Sequence, residues 1–182
     1  MFKRIIRSRL AAFEKAHDYD MSYARALLEA DLAAFLAFAK VMPLTRYRRG
    51  VPPEVYWAAK LTATLREDCG PCAQLCIGLA TRDGVAEETL CRLVRGELRA
   101  LDADTRLGAE YARAVADRSP DVDFYGQVVV ERFGRRALAS LALAVTAARI
   151  FPTLKVALGH GSRCARLSVG GRALVAGIES AA

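Results

Sequence analysis

The sequence predicts an all-α protein: a helical bundle with an N-terminal helical arm and a short hairpin tail. Three observations carry this. Apolar residues recur at three- and four-residue spacing through most of the 182 residues. Pro, Gly and Asp fall where helices must start and stop. Strand-like alternation is confined to the closing stretch ARLSVGGRALV. The length suits one compact unit, with residues 1–45 as the arm and 46–182 as the body.

Residues 3–15 read as a first helix. Asp20 or Ser22 caps a second, which runs to about Lys40 with Leu27, Leu28, Ala34, Phe35 and Phe38 on its apolar side. Pro43 stops it, and the basic loop TRYRRGVPP, Thr45 to Pro53, separates arm from body. Pro52-Pro53-Glu54 opens a third helix to about Arg66, because proline fits a first turn and an acid suits the positive dipole end. Trp57, Leu61 and Leu65 stack along it. A break at Cys69-Gly70-Pro71-Cys72 leads into a fourth helix ending near Asp83-Gly84.

Further helices are expected at 86–96, 104–118, 121–132 and 135–150. Their boundaries are Gly84, Asp102 or Asp104, Ser119-Pro120-Asp121, and Gly134. Pro152 is expected to end the last, with a short helical turn over Thr153 to Leu158. Gly170-Gly171 is the hairpin turn signal. Two such strands are marginal alone and must pack on the helices.

The net charge of +7 is uneven: residues 1–50 carry 10 basic and 5 acidic side chains, 51–132 carry 10 and 14, and 133–182 carry 7 and 1. No concentrated basic face with interleaved aromatics accompanies it, so nucleic acid is not an expected partner. The Arg-rich ends suit the steering of anionic ligands. Arg46, Arg48 and Arg49 around Tyr47 read as a solvated loop.

No apolar region of secretory length follows MFKRIIRSR, and the longest uncharged run, Ala137 to Ala148, is 12 residues against the roughly 20 of a membrane span. Phe2, Ile5, Ile6 and Leu10 share one side of the first helix. Docking on the body is the expectation, rather than contact of residues 1–10 with a membrane surface. The chain lacks Asn, which excludes N-glycosylation, and it lacks a P-loop, a dinucleotide fingerprint and G-x-S-x-G. Five cysteines, odd in number and clustered, point to reduced thiols in the cytoplasm.

The chemistry lies in Arg66 to Gly78, REDCGPCAQLCIG. Cys69 and Cys72 form a C-x-x-C at a helix start, where unpaired backbone N–H groups and the dipole stabilise a thiolate. Three-residue spacing across one turn also lets two sulfurs meet in a disulfide. An attacking thiolate and a resolving neighbour are the two parts of a thiol redox cycle. Gly-Pro is the thioredoxin dipeptide, but a helix rather than a strand precedes Cys69. Cys69, Cys72 and Cys76 also offer three thiolates, with a fourth ligand available only from Cys91, His160 or Cys164. Metal sites usually present two compact pairs, so neither a metal nor a cofactor is expected. Cys76 and Cys91 read as packed core residues, His160 as a turn residue, and His17 receives no role.

A helix, then C-x-x-C, then another helix, within PPEVYWAAKLTATLREDCGPCAQLCIGLA, resembles the alkyl hydroperoxidase D / carboxymuconolactone decarboxylase family. The resemblance implies an AhpD-like helical bundle that assembles as a dimer, trimer or hexamer. It implies that Cys72 attacks a peroxide or disulfide, that Cys69 resolves it, and that an outside dithiol, a lipoyl group or small redox protein, reduces the pair. Redox members carry a histidine four residues after the second cysteine and a glutamate 12 residues before the first; Cys76 and Trp57 stand there in this chain. Glu67 or Asp68, just before Cys69, is then the acid at hand as proton acceptor, and Glu67 joins Cys69 and Cys72 as an expected site residue. A thiol-dependent oxidoreductase is the leading expectation. A non-catalytic oligomeric scaffold with a vestigial C-x-x-C follows, and lactone decarboxylation rests on the family analogy alone.

Overall fold

The computed structural model describes residues 2–161 and 166–177, and its architecture is all-α apart from one short hairpin. The Pro-Pro-Glu start gives α4, Pro53–Leu65, in which every residue from Val55 to Thr64 except Lys60 is buried. A helix buried on nearly every side has to sit inside other helices. Those helices are α5 (Gly70–Arg82), α6 (Glu87–Arg95), α7 (Ala103–Asp117) and α9 (Arg135–Ala157), with α8 (Val122–Phe133) packed on α7 and α9. Asp102 caps α7 by accepting from the Thr105 N–H at 2.9 Å. Closest approach falls at Gly108 on α7, where a Cβ would lie 2.5 Å from the Val55 carbonyl oxygen.

The arm consists of α1 (Phe2–His17), α2 (Ser22–Ala30) and α3 (Leu32–Ala39). Leu10, Tyr19, Tyr23 and Leu28 are buried in a cluster with Leu75 of α5 and with Phe151 and Leu154 of α9. The loop after the arm is tied to α9 by Ser140, whose hydroxyl accepts from the Arg49 N–H at 2.8 Å. At the other end, β1 (Leu167–Val169) pairs antiparallel with β2 (Arg172–Leu174), Leu167 facing Leu174. The hairpin packs on the helices, as two isolated strands must. Leu167, Val169 and Leu174 join the core cluster against α5 and α6, and the Gln74 side chain exchanges two hydrogen bonds with the Ser168 backbone.

Three sequence expectations are corrected. The second helix divides at Asp31, whose extended backbone and side chain, accepting from the Ala33 N–H at 2.8 Å, start a separate α3. Pro152 does not end α9, which continues to Ala157. Proline there removes one backbone donor, and the helix that carries on past it sets the half-buried Phe151 and Leu154 against the arm. The apolar side of α1 docks only through its later part: Leu10 is buried, while Phe2 is 56% and Ile5 48% exposed. By length and composition α9 could cross a membrane, but Leu141, Ala144 and Val145 are buried inside the protein.

The α4–α7 approach makes a stability prediction. Gly108→Ala gains up to about 1 kcal/mol of helix propensity, but the new methyl meets a backbone oxygen that no rotamer change moves, and overpacking costs about 1–3 kcal/mol. The urea midpoint is expected to fall with the m-value unchanged. An unaltered midpoint would show that the two helices separate without loss.

Candidate redox site

After α4 the chain turns through Glu67 and Asp68. Asp68 has φ of 49°, the left-handed region that Asp tolerates better than most residues, and its N–H donates to the Leu65 carbonyl. The turn leaves Cys69 as the N-cap of α5, Gly70 and Pro71 in the first two helical positions, and Cys72 in the third. Pro71 is cheap there because first-turn N–H groups have no intrahelical acceptor. The two Cα atoms are 5.3 Å apart and the sulfurs lie at disulfide distance. The helix start expected from the sequence thus brings the pair together.

Both cysteines are 8% exposed. The arm closes over them, and the Tyr19 hydroxyl stands 3.5 Å from Cys72 Sγ. Burial, then Tyr23 and Asp20, push the Tyr19 pKa up. The group is therefore a neutral hydroxyl at physiological pH, able to donate to a thiolate. Lys155 of α9 places its ammonium 4.8 Å from the Tyr19 ring centroid and 5.6 Å from that of Tyr23. Burial lowers the Lys155 pKa and Asp20 opposes the shift.

Cys72 lines a cavity of about 960 Å³ between arm and body, and Cys69 does not. A reagent in the cavity meets one sulfur of the pair. Cys76 and Trp57 also line it. Burial pushes the Cys76 thiol up to about 11, with Lys60 and Thr64 opposing, so it is protonated at neutral pH. The Trp57 indole N–H donates to Asp83 at 2.6 Å, and the same carboxylate pairs with Arg48.

Glu67 is held elsewhere. Its carboxylate accepts from Arg149 at 2.5 Å, and it is not among the cavity-lining residues. Asp68 is exposed. His160 lies 3.0 Å from the Ser22 hydroxyl, and Cys91 is a buried free thiol of the core. Cys164 lies outside the described residues. Among the described residues, no three or more His, Cys, Asp or Glu side chains gather as a metal site. Sequence reasoning missed Tyr19, Lys60 and Lys155, and also His17, which lines the cavity beside Arg82. The i, i+4 pair Tyr19 and Tyr23 was the one available signal.

Compared with models of known protein families, with curated proteins and with solved structures, the chain matches none.

The geometry predicts an order of thiol reactivity. In the reduced protein, Cys72 is expected to react with iodoacetamide at far lower pH than Cys76, which stays protected until the pH nears its pKa. Tyr19→Phe removes a donor to the thiolate and is expected to raise the pH midpoint of Cys72 alkylation by about one unit. Peptide mapping across a pH series measures both. Identical Cys72 midpoints in the two proteins would exclude Tyr19 from the thiolate's environment.

Proposed function

We propose that this chain is a thiol-dependent oxidoreductase of the peroxidase or disulfide-reductase type. The Cys72 thiol attacks a hydroperoxide, ROOH; the O–O bond breaks, giving a Cys72 sulfenic acid and ROH. The Cys69 thiol then displaces water from the sulfenic acid, forming the Cys69–Cys72 disulfide. With a disulfide substrate, the two thiols instead exchange for the same bond while the substrate leaves as dithiol. An external dithiol, a lipoyl group or a small redox protein, restores both thiols as it becomes a disulfide. On this reading the chain works as a homo-oligomer in the reducing cytoplasm.

The observation that carries the proposal is the sulfur pair at disulfide distance on the first turn of α5, with the Tyr19 hydroxyl against Cys72. The resemblance of this segment to the alkyl hydroperoxidase D family supports it. So does the asymmetry of access, since Cys72 alone of the pair lines the cavity. Cys76 and Trp57 remove the family's histidine and glutamate, and Glu67 is engaged with Arg149. The hydrogen bond to the attacking sulfur therefore comes from Tyr19, whose hydroxyl stands 3.5 Å from it.

One observation favours a second reading, a non-catalytic helical scaffold: both cysteines are buried. Thiol mapping decides between them. Reduced protein given one equivalent of hydrogen peroxide or oxidised lipoamide is expected to form the Cys69–Cys72 disulfide rapidly and exclusively. Cys72→Ser abolishes it, and Cys69→Ser accumulates a dimedone-reactive sulfenic acid at Cys72 with the peroxide. Both thiols remaining free would leave the scaffold reading standing.

A further inference from the structure

The cavity has a charge pattern that thiol chemistry does not use. At about 960 Å³ it sits at the top of the roughly 300–1,000 Å³ span of small-molecule sites. Phe13, Phe35 and Phe38 from the arm face it, with Leu75 and Phe151 from the body. Its charged lining is one-sided: Arg9, Arg46, Arg48, Lys60 and Arg82 against the single carboxylate of Asp83. That carboxylate is already taken by Arg48 and the Trp57 indole. Arg82 donates to the Ala16 carbonyl.

Lys60 is the group that decides the matter. Its ammonium lies over the Trp57 and Tyr56 rings, 5.1 and 5.5 Å from their centroids, and donates to the Thr45 carbonyl at 2.6 Å. An ammonium has three donors, and no carboxylate among the described residues pairs with this one. Burial lowers its pKa, and the nearby Cys76 is held as a neutral thiol. A cation in low dielectric is stabilised by a counter-ion that also fills its remaining hydrogen bonds. Arg46, exposed at the cavity's edge and without an ion pair among the described residues, adds a second cation.

We propose that the cavity binds a long-chain carboxylate, its head group on Lys60 and Arg46 and its hydrocarbon tail among Phe13, Phe35, Phe38, Leu75 and Phe151. A carboxylate accepts through both oxygens, which suits a site offering donors from two cations. The aromatic walls supply the apolar contact that an alkyl chain needs and that a small dianion would not use. The tail passes the cavity face that Cys72 also lines, but binding requires no reaction at sulfur.

Trp57 is the single tryptophan of the chain and lines the cavity, so its fluorescence reports occupancy. Hexadecanoate, below its aggregation threshold, is expected to change Trp57 emission saturably at one molecule per chain. Hexadecan-1-ol, with the same tail and no charge, is expected to bind about tenfold more weakly, and hexadecyltrimethylammonium not at all. Lys60→Met is expected to erase the preference for acid over alcohol. Arg46→Glu, at an exposed position that does not threaten folding, is expected to weaken the acid severalfold and leave the alcohol unchanged. Equal affinity for acid and alcohol in the unmodified protein would overturn the proposal, as would an unsaturable response or an Arg46→Glu variant that binds the acid unchanged. The Cys69→Ser/Cys72→Ser double variant is expected to bind hexadecanoate as the unmodified protein does, so a failed redox assay and a failed binding assay are read separately.

Discussion

The geometry of the cysteine pair depends on where α4 is allowed to sit. With almost no exposed side, the helix has its axis set by its neighbours, and at Gly108 the backbone of α7 comes so near Val55 that no side chain fits between them. Its last turn cannot drift, so the chain leaves Leu65 from a fixed point. The turn that follows is fastened twice, by Arg66 to Asp117 of α7 at 2.6 Å and by Glu67 to Arg149 of α9 at 2.5 Å. Glu67 thereby anchors the turn that sets Cys69 at the N-cap. The acid two residues before Cys69 is thus committed to an ion pair with α9.

The body supplies only half of the sulfur's surroundings. Tyr19 comes from the link between α1 and α2, Cys72 from α5, and Lys155 from the last turn of α9. Each alone is unremarkable, and their meeting is a consequence of the arm folding back over the bundle. Arg82 grips the Ala16 carbonyl at 2.9 Å, and the Ser22 hydroxyl lies 3.0 Å from His160. These contacts seat the arm while leaving the cavity between the two layers. The extension of α9 beyond Pro152 belongs to the same logic, because Phe151 and Leu154 are that helix's share of the apolar contact with the arm.

How much of this was legible follows from the range of each interaction. Local signals worked: Pro-Pro-Glu started α4, Asp102 capped α7, Gly170-Gly171 turned the hairpin, and C-G-P-C marked the entry of α5. Asp31 was a readable cap that the apolar pattern on either side obscured, since LLEADLAAF keeps helical spacing across the break. Pro152 was read by its local rule, and a long-range contact overrode it. Tyr19 and Lys155 were invisible for a different reason. A tyrosine 53 positions from the cysteine that it touches, and a lysine beyond the end of the expected helix, leave no mark in any short window.

The residues at positions 57 and 76, which differ from those of the family that the cysteine segment resembles, have a shared physical consequence. Histidine and glutamate would have put two titrating groups into the cavity wall; Cys76 and Trp57 put in a thiol protonated at neutral pH and an indole committed to Asp83. Neither residue supplies a base or an acid at neutral pH, and among the described residues no carboxylate pairs with Lys60. The cavity wall is thus apolar and positively charged. Whatever reactivity Cys72 has must then come from the backbone N–H groups at the start of α5 and from a tyrosine that stays neutral. The lining thus gives the sulfur a hydrogen-bonding neighbour and gives the cavity positive charge and apolar surface. Cys72, Cys76, Trp57 and Lys60 all line that one cavity, so the sulfur and the positive charge share a wall rather than merely adjoining.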